Sequence, residues 1–165
     1  MRKAWLFALF LGVVFPIPAP ADDSLARFEG GIGVVPVRAG PAANTVRGVN
    51  PGGQPWVIAA LSADIQTDGR IQVDGRGVLL GGGDNIGTNG GQSVGATLFC
   101  ANAVVLGVPV QHKSDAVPLE PNGDFRIDSV LSPAPPNPCD NPVLLIRGGA
   151  GNGNWFAAGI PKLGD

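Results

Sequence analysis

The chain contains no tyrosine, one histidine and two cysteines, and only 15% of its 165 residues are charged. Lysine and arginine are not clustered anywhere, so the counterion displacement on which nucleic-acid binders depend has no source here. The same absence excludes a polybasic patch for anionic membranes. With one histidine and no cysteine spacing typical of metal sites, we also expect no metal and no cofactor. The composition therefore favours functions that need neither.

The N-terminal apolar run is too short for a membrane span. Residues 4 to 15 are apolar, whereas a spanning helix needs roughly 20 such residues. Arg2 and Lys3 precede the run, prolines close it, and Ala19-Pro20-Ala21 places small residues where a signal peptidase reads them. This order predicts a signal peptide over residues 1 to 21, and the prolines make us prefer it to an uncleaved anchor. We therefore expect an exported protein, periplasmic or secreted, with no membrane span after cleavage.

Cleavage after Ala21 would leave 144 residues, an ordinary size for one domain. It would remove two basic residues and no acidic ones, so the formal net charge would change from −2 to −4. Residues 22 to 26 are expected to form a short polar lead-in. Residues 27 to 165 are expected to form a single β domain.

Glycine and proline divide the rest of the chain into short apolar segments. There are 26 glycines and 16 prolines, while the hydrophobic fraction of 44% is too high for a disordered chain. Short segments between turn residues predict an all-β fold, mainly an antiparallel β-sandwich, with a β-barrel as the alternative. Phe125 and Ile127 alternate with charged neighbours, which predicts a half-buried strand. Three dipeptides predict tight turns and hence hairpins: Asp68-Gly69, Asp74-Gly75 and Asn122-Gly123.

Two apolar segments have patterns that fit more than one structure or lack alternation. Residues 56 to 66 fit a helix, because Pro55 suits a first helical position. They also fit a strand, and we prefer the strand because an Asp-Gly turn signal follows. Its inward row would be Val57, Ala59, Leu61, Ala63 and Ile65. Residues 143 to 146 are apolar without alternation, which predicts a central strand covered on both faces.

Cys100 and Cys139 are expected to form a disulfide, because a lone pair of cysteines in an exported protein usually does so. On the chain-entropy model such a bridge would stabilise the fold by roughly 3 to 4 kcal/mol. It would also pin the proline-rich residues 132 to 139 across the sheet that carries Cys100. We therefore expect this segment to cover a sheet edge or an open end.

One pattern points to catalysis. Residues 91 to 95 match G-x-S-x-G, the spacing that lets a serine project from a sharp strand-to-helix turn in hydrolases. His112 is the only histidine that could serve Ser93 as a base, and Asp115 follows it closely. The context argues against a triad, because a Gly-rich loop precedes Ser93 and no Asp or Glu lies between Ser93 and His112. We keep Ser93, His112 and Asp115 as candidates but expect a protein that is not an enzyme.

Aromatic rings offer a different kind of site. Trp56 and Trp155 are the side chains best able to stack on a sugar or a peptide, and Asn152 and Asn154 lie close to Trp155 in the sequence. The alternative is that both indoles pack in the core or at a strand edge.

We therefore predict an exported, non-catalytic surface, matrix or ligand-binding module whose unknown ligand is extracellular or periplasmic. Long Gly-rich loops on a β scaffold favour this function, because loops commonly carry binding sites. The alternative is a small secreted serine hydrolase that uses Ser93 and His112.

Overall fold

A computed structural model describes residues 23 to 37, 39 to 40 and 43 to 162, which form twelve strands and one short helix. In chain order the elements are β1 (Ser24–Gly33), β2 (Trp56–Val57), β3 (Ala60–Gln66), β4 (Arg70–Arg76), β5 (Leu79–Leu80), β6 (Ser93–Phe99), β7 (Val104–Val105), β8 (Val108–Pro109), β9 (His112–Pro118), β10 (Phe125–Val130), β11 (Val143–Arg147), α1 (Gly148–Gly151) and β12 (Trp155–Pro161). The predicted signal peptide lies outside the described residues. Within them, no helix has the length and apolar character needed to cross a membrane.

Eight strands form one antiparallel sheet in the order β10-β4-β3-β1-β12-β11-β6-β9. β9 and β10 end this order, yet they also meet. Lys113 in β9 and Ser132 just after β10 exchange two backbone hydrogen bonds of 2.9 Å, and Ser129 Oγ donates to Asp115 Oδ2 at 3.2 Å. The sheet therefore almost closes on itself. The all-β, mainly antiparallel prediction is confirmed, and near-closure fits both the sandwich and the barrel that the sequence allows.

The connection from β10 to β11 sets the topology. β6, β9 and β10 follow one another around the sheet, with the small hairpin of β7 and β8 inserted between β6 and β9. β11 then returns to pair with β6, which is the Greek-key order. Residues 131 to 142, which we call the crossover, pass the ends of β9 and β6. There Pro133 O accepts a hydrogen bond from His112 Nδ1 at 2.8 Å, and Cys139 is bonded to Cys100.

Alternation of side chains fills the interior. β3, β4 and β10 bury alternate residues such as Ile65, Val73 and Ile127 and expose polar neighbours. β6 and β11 are buried on both faces. On β6, α1 lies over the outer side, where Gly151 approaches Thr97. The predicted central strand over residues 143 to 146 is confirmed as part of β11, which lies between β12 and β6.

Two strand boundaries of the sequence prediction differ from the structure. β1 begins at Ser24, so residues 24 to 26 belong to the first strand and not to a lead-in, because Ala26 is buried opposite Ile65. The strand predicted over residues 56 to 66 is split into β2 and β3. β2 pairs with β5 outside the main sheet, which leaves Val57 and Ala59 exposed.

Asp74-Gly75 does not form a turn. Both residues lie inside β4, where they pair with Arg126 and Phe125 of β10. A Cβ at Gly75 would lie 2.0 Å from Cε1 of Phe125, so the glycine makes room for that ring. Asp68-Gly69 and Asn122-Gly123 do form turns, with glycine φ angles of 86° and 82°.

The predicted disulfide is confirmed. Cys100 and Cys139 are 39 positions apart in the chain, and their Cα atoms are 5.0 Å apart. Cys100 directly follows β6, and Cys139 belongs to the crossover. The bond therefore ties the crossover to the end of β6, as expected for the proline-rich segment.

Replacing both cysteines with serine, Cys100→Ser/Cys139→Ser, should lower the free energy of unfolding by about 3 to 4 kcal/mol, because the unfolded chain regains the entropy of an open loop. Urea unfolding followed by circular dichroism measures the change. Reductant should destabilise the wild type by a similar amount and leave the double variant unaffected. An unchanged midpoint in the double variant would contradict the prediction.

The Gly75→Ala substitution should destabilise the fold by about 1 to 3 kcal/mol, because the added methyl group overlaps the Phe125 ring. Combining it with Phe125→Leu provides the control, since the smaller side chain frees the space. The two destabilisations should then sum to more than that of the double variant. Strict additivity in urea unfolding would show that the ring is not the reason for the glycine.

Candidate functional site

The structure does not bring the candidate catalytic residues together. Ser93 begins β6 and pairs with Pro118, whereas His112 begins β9 and pairs with Leu98. The five strand positions from Ser93 to Leu98 correspond to about 17 Å. Ser93 is exposed, and His112 is 2% exposed. A base can serve a nucleophile only within hydrogen-bond reach, so this geometry gives the hydrolase alternative no support.

His112 instead connects β9 to the crossover. Its Nδ1 lies 2.8 Å from Pro133 O, and a carbonyl can only accept, so Nδ1 carries the proton. Nε2 is buried and has no hydrogen-bond partner among the described residues. Asp115 is exposed and accepts a hydrogen bond from Ser129 Oγ. Both residues therefore contribute to the meeting of β9 with β10 and the crossover.

The two candidate tryptophans are packed in the core and do not expose their rings to solvent. Trp56 is 6% exposed and stacks on Phe156 with ring centroids 4.2 Å apart. Trp155 is 5% exposed, and its Nε1 donates to Asn44 O at 3.1 Å. A stacking platform needs an open ring face, so these positions match the core-packing alternative.

The candidate asparagines lie in the loop between α1 and β12. Asn152 Oδ1 accepts a hydrogen bond from Lys113 Nζ at 2.6 Å. Asn154 O accepts from Gly148 N at 3.0 Å, which closes the loop. These contacts hold the loop against β9 and do not direct the two amides toward a common hollow.

A polar hollow of about 430 Å³ lies on the outer face of β1, β3, β4 and β10. Arg27 and Asp64 form an ion pair of 2.9 Å there, and Lys162 and Glu29 form one of 2.7 Å. Exposed ion pairs of this kind contribute little to stability and are common on solvated sheet faces. No exposed aromatic side chain lines this hollow. Among the described residues, no group of three or more His, Cys, Asp or Glu side chains could hold a metal ion.

Among the described residues, the most exposed apolar side chains lie on the hairpin formed by β7 and β8, residues 104 to 109, which we call the apolar hairpin. Leu106 at its tip is 99% exposed, and Val105 and Val108 are each more than 60% exposed. No charged residue occurs from residue 101 to residue 110. Single exposed apolar side chains are ordinary, but a contiguous group marks a contact surface.

The turn of the apolar hairpin is unfavourable for its own sequence. Leu106 and Gly107 have φ angles of 51° and 80° between the paired residues Val105 and Val108. Two-residue hairpin turns with positive φ at both positions favour Asn-Gly or Asp-Gly. An aliphatic residue in this left-handed region costs about 1 kcal/mol or more. The fold therefore tolerates a strained and fully exposed leucine at this position.

The base of the apolar hairpin is fixed firmly. The Cys100 disulfide lies just before it. Asn102 Nδ2 donates to Pro138 O at 2.8 Å, and Asn102 Oδ1 accepts from Asp140 N at 3.1 Å.

Val110 N donates to Ala103 O at 2.8 Å and extends the hairpin pairing. On the far side, Gln111 Oε1 accepts from Arg147 Nη1 at 2.9 Å. The crossover and β11 thus hold the hairpin in one orientation.

The amino-acid sequence alone does not distinguish this surface from a buried strand. The available signal is Leu106-Gly107 at a turn position within ten uncharged residues. Valine-rich segments of this kind are also typical of buried strands. Only the register, in which Val104 pairs with Pro109 outside the main sheet, shows that these valines face solvent.

The Leu106→Asn substitution should raise the free energy of unfolding by about 0.5 to 1 kcal/mol, because asparagine accepts positive φ and fits the hairpin turn. Urea unfolding measures the change. The Ile86→Asn substitution in the exposed loop after β5 is the control, since Ile86 is exposed but has no positive φ. A clear loss of stability in Leu106→Asn would refute the claim of strain at this turn.

Comparison with protein-family models, with curated proteins and with solved structures finds no match to this chain. The functional conclusion therefore depends on the chemistry of the residues themselves.

Proposed function

We propose that the protein is an exported, non-catalytic binding module that attaches through its apolar hairpin to a hydrophobic surface outside the cytoplasm. The observation that carries this proposal is the exposure of Leu106 together with Val105 and Val108 on one hairpin. Transfer of such side chains out of water is favourable by roughly 1.5 to 3 kcal/mol for each one fully buried. A partner that covers the hairpin would gain this free energy.

Export is supported by two independent features. The order of positive charge, apolar run and small residues over residues 1 to 21 is typical of a secretory signal peptide. The Cys100 to Cys139 disulfide suits an oxidising compartment, where such bonds persist. Together they favour a periplasmic or secreted location.

A non-catalytic role is supported by the positions of the candidate catalytic groups. Ser93 begins β6, whereas His112 lies in β9 opposite Leu98, near the other end of β6, and its Nδ1 donates to Pro133 O. The apolar hairpin itself carries no nucleophile, acid or base from Val104 to Pro109. Binding is therefore the function that this surface can perform.

The attachment can be tested on octyl-agarose with residues 22 to 165 and a falling salt gradient. We expect Leu106→Asn to elute markedly earlier than the wild type, because it interrupts a contiguous apolar patch. Ile86→Asn removes a side chain that is 64% exposed, against 99% for Leu106. The neighbours of Ile86 in the sequence are polar or glycine, so this variant should shift elution less. Equal shifts for the two variants would contradict the proposal that the hairpin is the attachment surface.

The hydrolase alternative can be tested with a fluorophosphonate probe on the same protein. We expect the same background signal from the wild type and from Ser93→Ala. Specific labelling of Ser93 that disappears in His112→Ala would replace the binding-module proposal with a serine hydrolase.

A further inference from the structure

We propose that the surface contacted by the apolar hairpin is a lipid bilayer with electrically neutral headgroups, into which Leu106 and its neighbours insert. This inference rests on the proposed function and names the partner of the same site. It follows from the chemistry of the hairpin, its shape and the charges around it.

The side chains of the hairpin suit hydrocarbon better than a protein groove. The exposed residues are Leu106 and three valines, with no aromatic ring, arginine or hydrogen-bonding side chain among them. Hot spots of protein interfaces are enriched in Trp, Tyr and Arg, whereas Leu and Val are under-represented there. Hydrocarbon requires no directional partner. An aliphatic tip without polar anchors is therefore what lipid insertion needs.

The shape of the hairpin also suits a bilayer. The tip is convex, and three residues on each side of the turn reach about 10 Å at the usual rise per strand residue. Interfacial apolar segments enter the headgroup and acyl boundary by about 5 to 10 Å. Pairing of Val105 with Val108 and the Val110 N to Ala103 O hydrogen bond join the two arms. β7 and β8 form a sheet of only two strands, so their outer backbone groups would have to stay at headgroup depth while the side chains enter the hydrocarbon.

The charges near the hairpin favour neutral headgroups. The hairpin lies at the end of the sheet where β1, β4 and β9 begin and β12 ends. Among the described residues, charged groups of both signs lie there, for example Asp23, Asp68 and Asp140 beside Arg70, Lys113 and Lys162, and Lys162 is paired with Glu29. The described residues at this end form no cationic ring for anionic lipids, and the mature chain would carry a formal charge of −4. Headgroups that carry both signs of charge match this mixture best.

Two hollows of the described residues would be poor receptors for the hairpin of a second copy. One carries Arg126 and Glu120, and the other carries Gln54 and Asn85 beside its apolar lining. An aliphatic knob in such a hollow would remove polar groups from water without replacing their hydrogen bonds.

The test is cosedimentation of residues 22 to 165 with phosphatidylcholine vesicles and with vesicles that also contain phosphatidylglycerol. We expect binding to phosphatidylcholine, with no gain from the anionic lipid. Leu106→Asn should reduce the partition coefficient at least about tenfold, because one fully transferred leucine accounts for a factor of that size. This variant keeps the hairpin turn. Ile86→Asn, at the opposite end of the sheet, should bind like the wild type.

Several outcomes would overturn the inference. If Leu106 governs retention on octyl-agarose but no vesicle binds, the lipid assignment is wrong while the proposed function stands. If sedimentation velocity then shows self-association that Leu106→Asn abolishes, the partner is a second copy. Binding only to anionic vesicles, or binding unaffected by Leu106→Asn, would assign lipid contact to another surface. If Leu106 affects neither octyl-agarose nor vesicles, both proposals fail.

Discussion

The attachment of the crossover to β6 and β9 is the constraint on which the rest of the structure depends. The sheet has no continuous ladder between β9 and β10, and the crossover closes that gap at one end. The Lys113 to Ser132 backbone pair, the His112 to Pro133 hydrogen bond and the Cys100 to Cys139 bond all act there. Edge strands left uncovered invite pairing with other chains. The crossover thus holds the Greek-key return of β11 and protects two edges at once.

The same attachment explains how a hairpin of two-residue strands can project from the fold. A two-stranded hairpin alone is marginally stable in water at best. Here the disulfide and both hydrogen bonds of Asn102 fix its base to the crossover. Because the hairpin is already held in the fold, the proposed attachment would cost little conformational entropy. The same contacts therefore stabilise the crossover and fix the position of Leu106.

The fold was predictable where a local pattern decides the structure. Phe125 and Ile127 alternate with charges and are buried in β10, and Asp68-Gly69 closes the hairpin of β3 and β4. The disulfide followed from having only two cysteines. Prediction failed where the role of a residue depends on a contact with a residue distant in the sequence. Gly75 looks like a turn residue, but its role depends on the Phe125 ring, which lies fifty positions later in the chain.

The candidate site was harder to predict for the same reason. Trp56 and Trp155 have the chemistry of a binding platform, but Phe156 and the Asn44 carbonyl hold them in the interior. In the opposite direction, Val104 and Val105 have the composition of a buried strand and face solvent. Burial depends on which strand pairs with which, and an apolar hairpin between two core strands has the same local pattern as its neighbours. Composition could therefore identify apolar segments but not their exposure.

Two exposed surfaces are candidates for a functional role. They differ in how much each one lowers the free energy of unfolding. The outer face of β1, β3 and β4 carries ion pairs such as Arg27 with Asp64, and water solvates these groups at no cost to folding. Leu106 lowers the stability of the fold in two ways. Its φ is positive, and its aliphatic side chain stays in water. Neither cost brings a contact that stabilises the described fold. A sequence that breaks a local preference without a structural gain does so most often at a functional position. This difference is the reason why the proposed attachment is assigned to the apolar hairpin and not to the polar face.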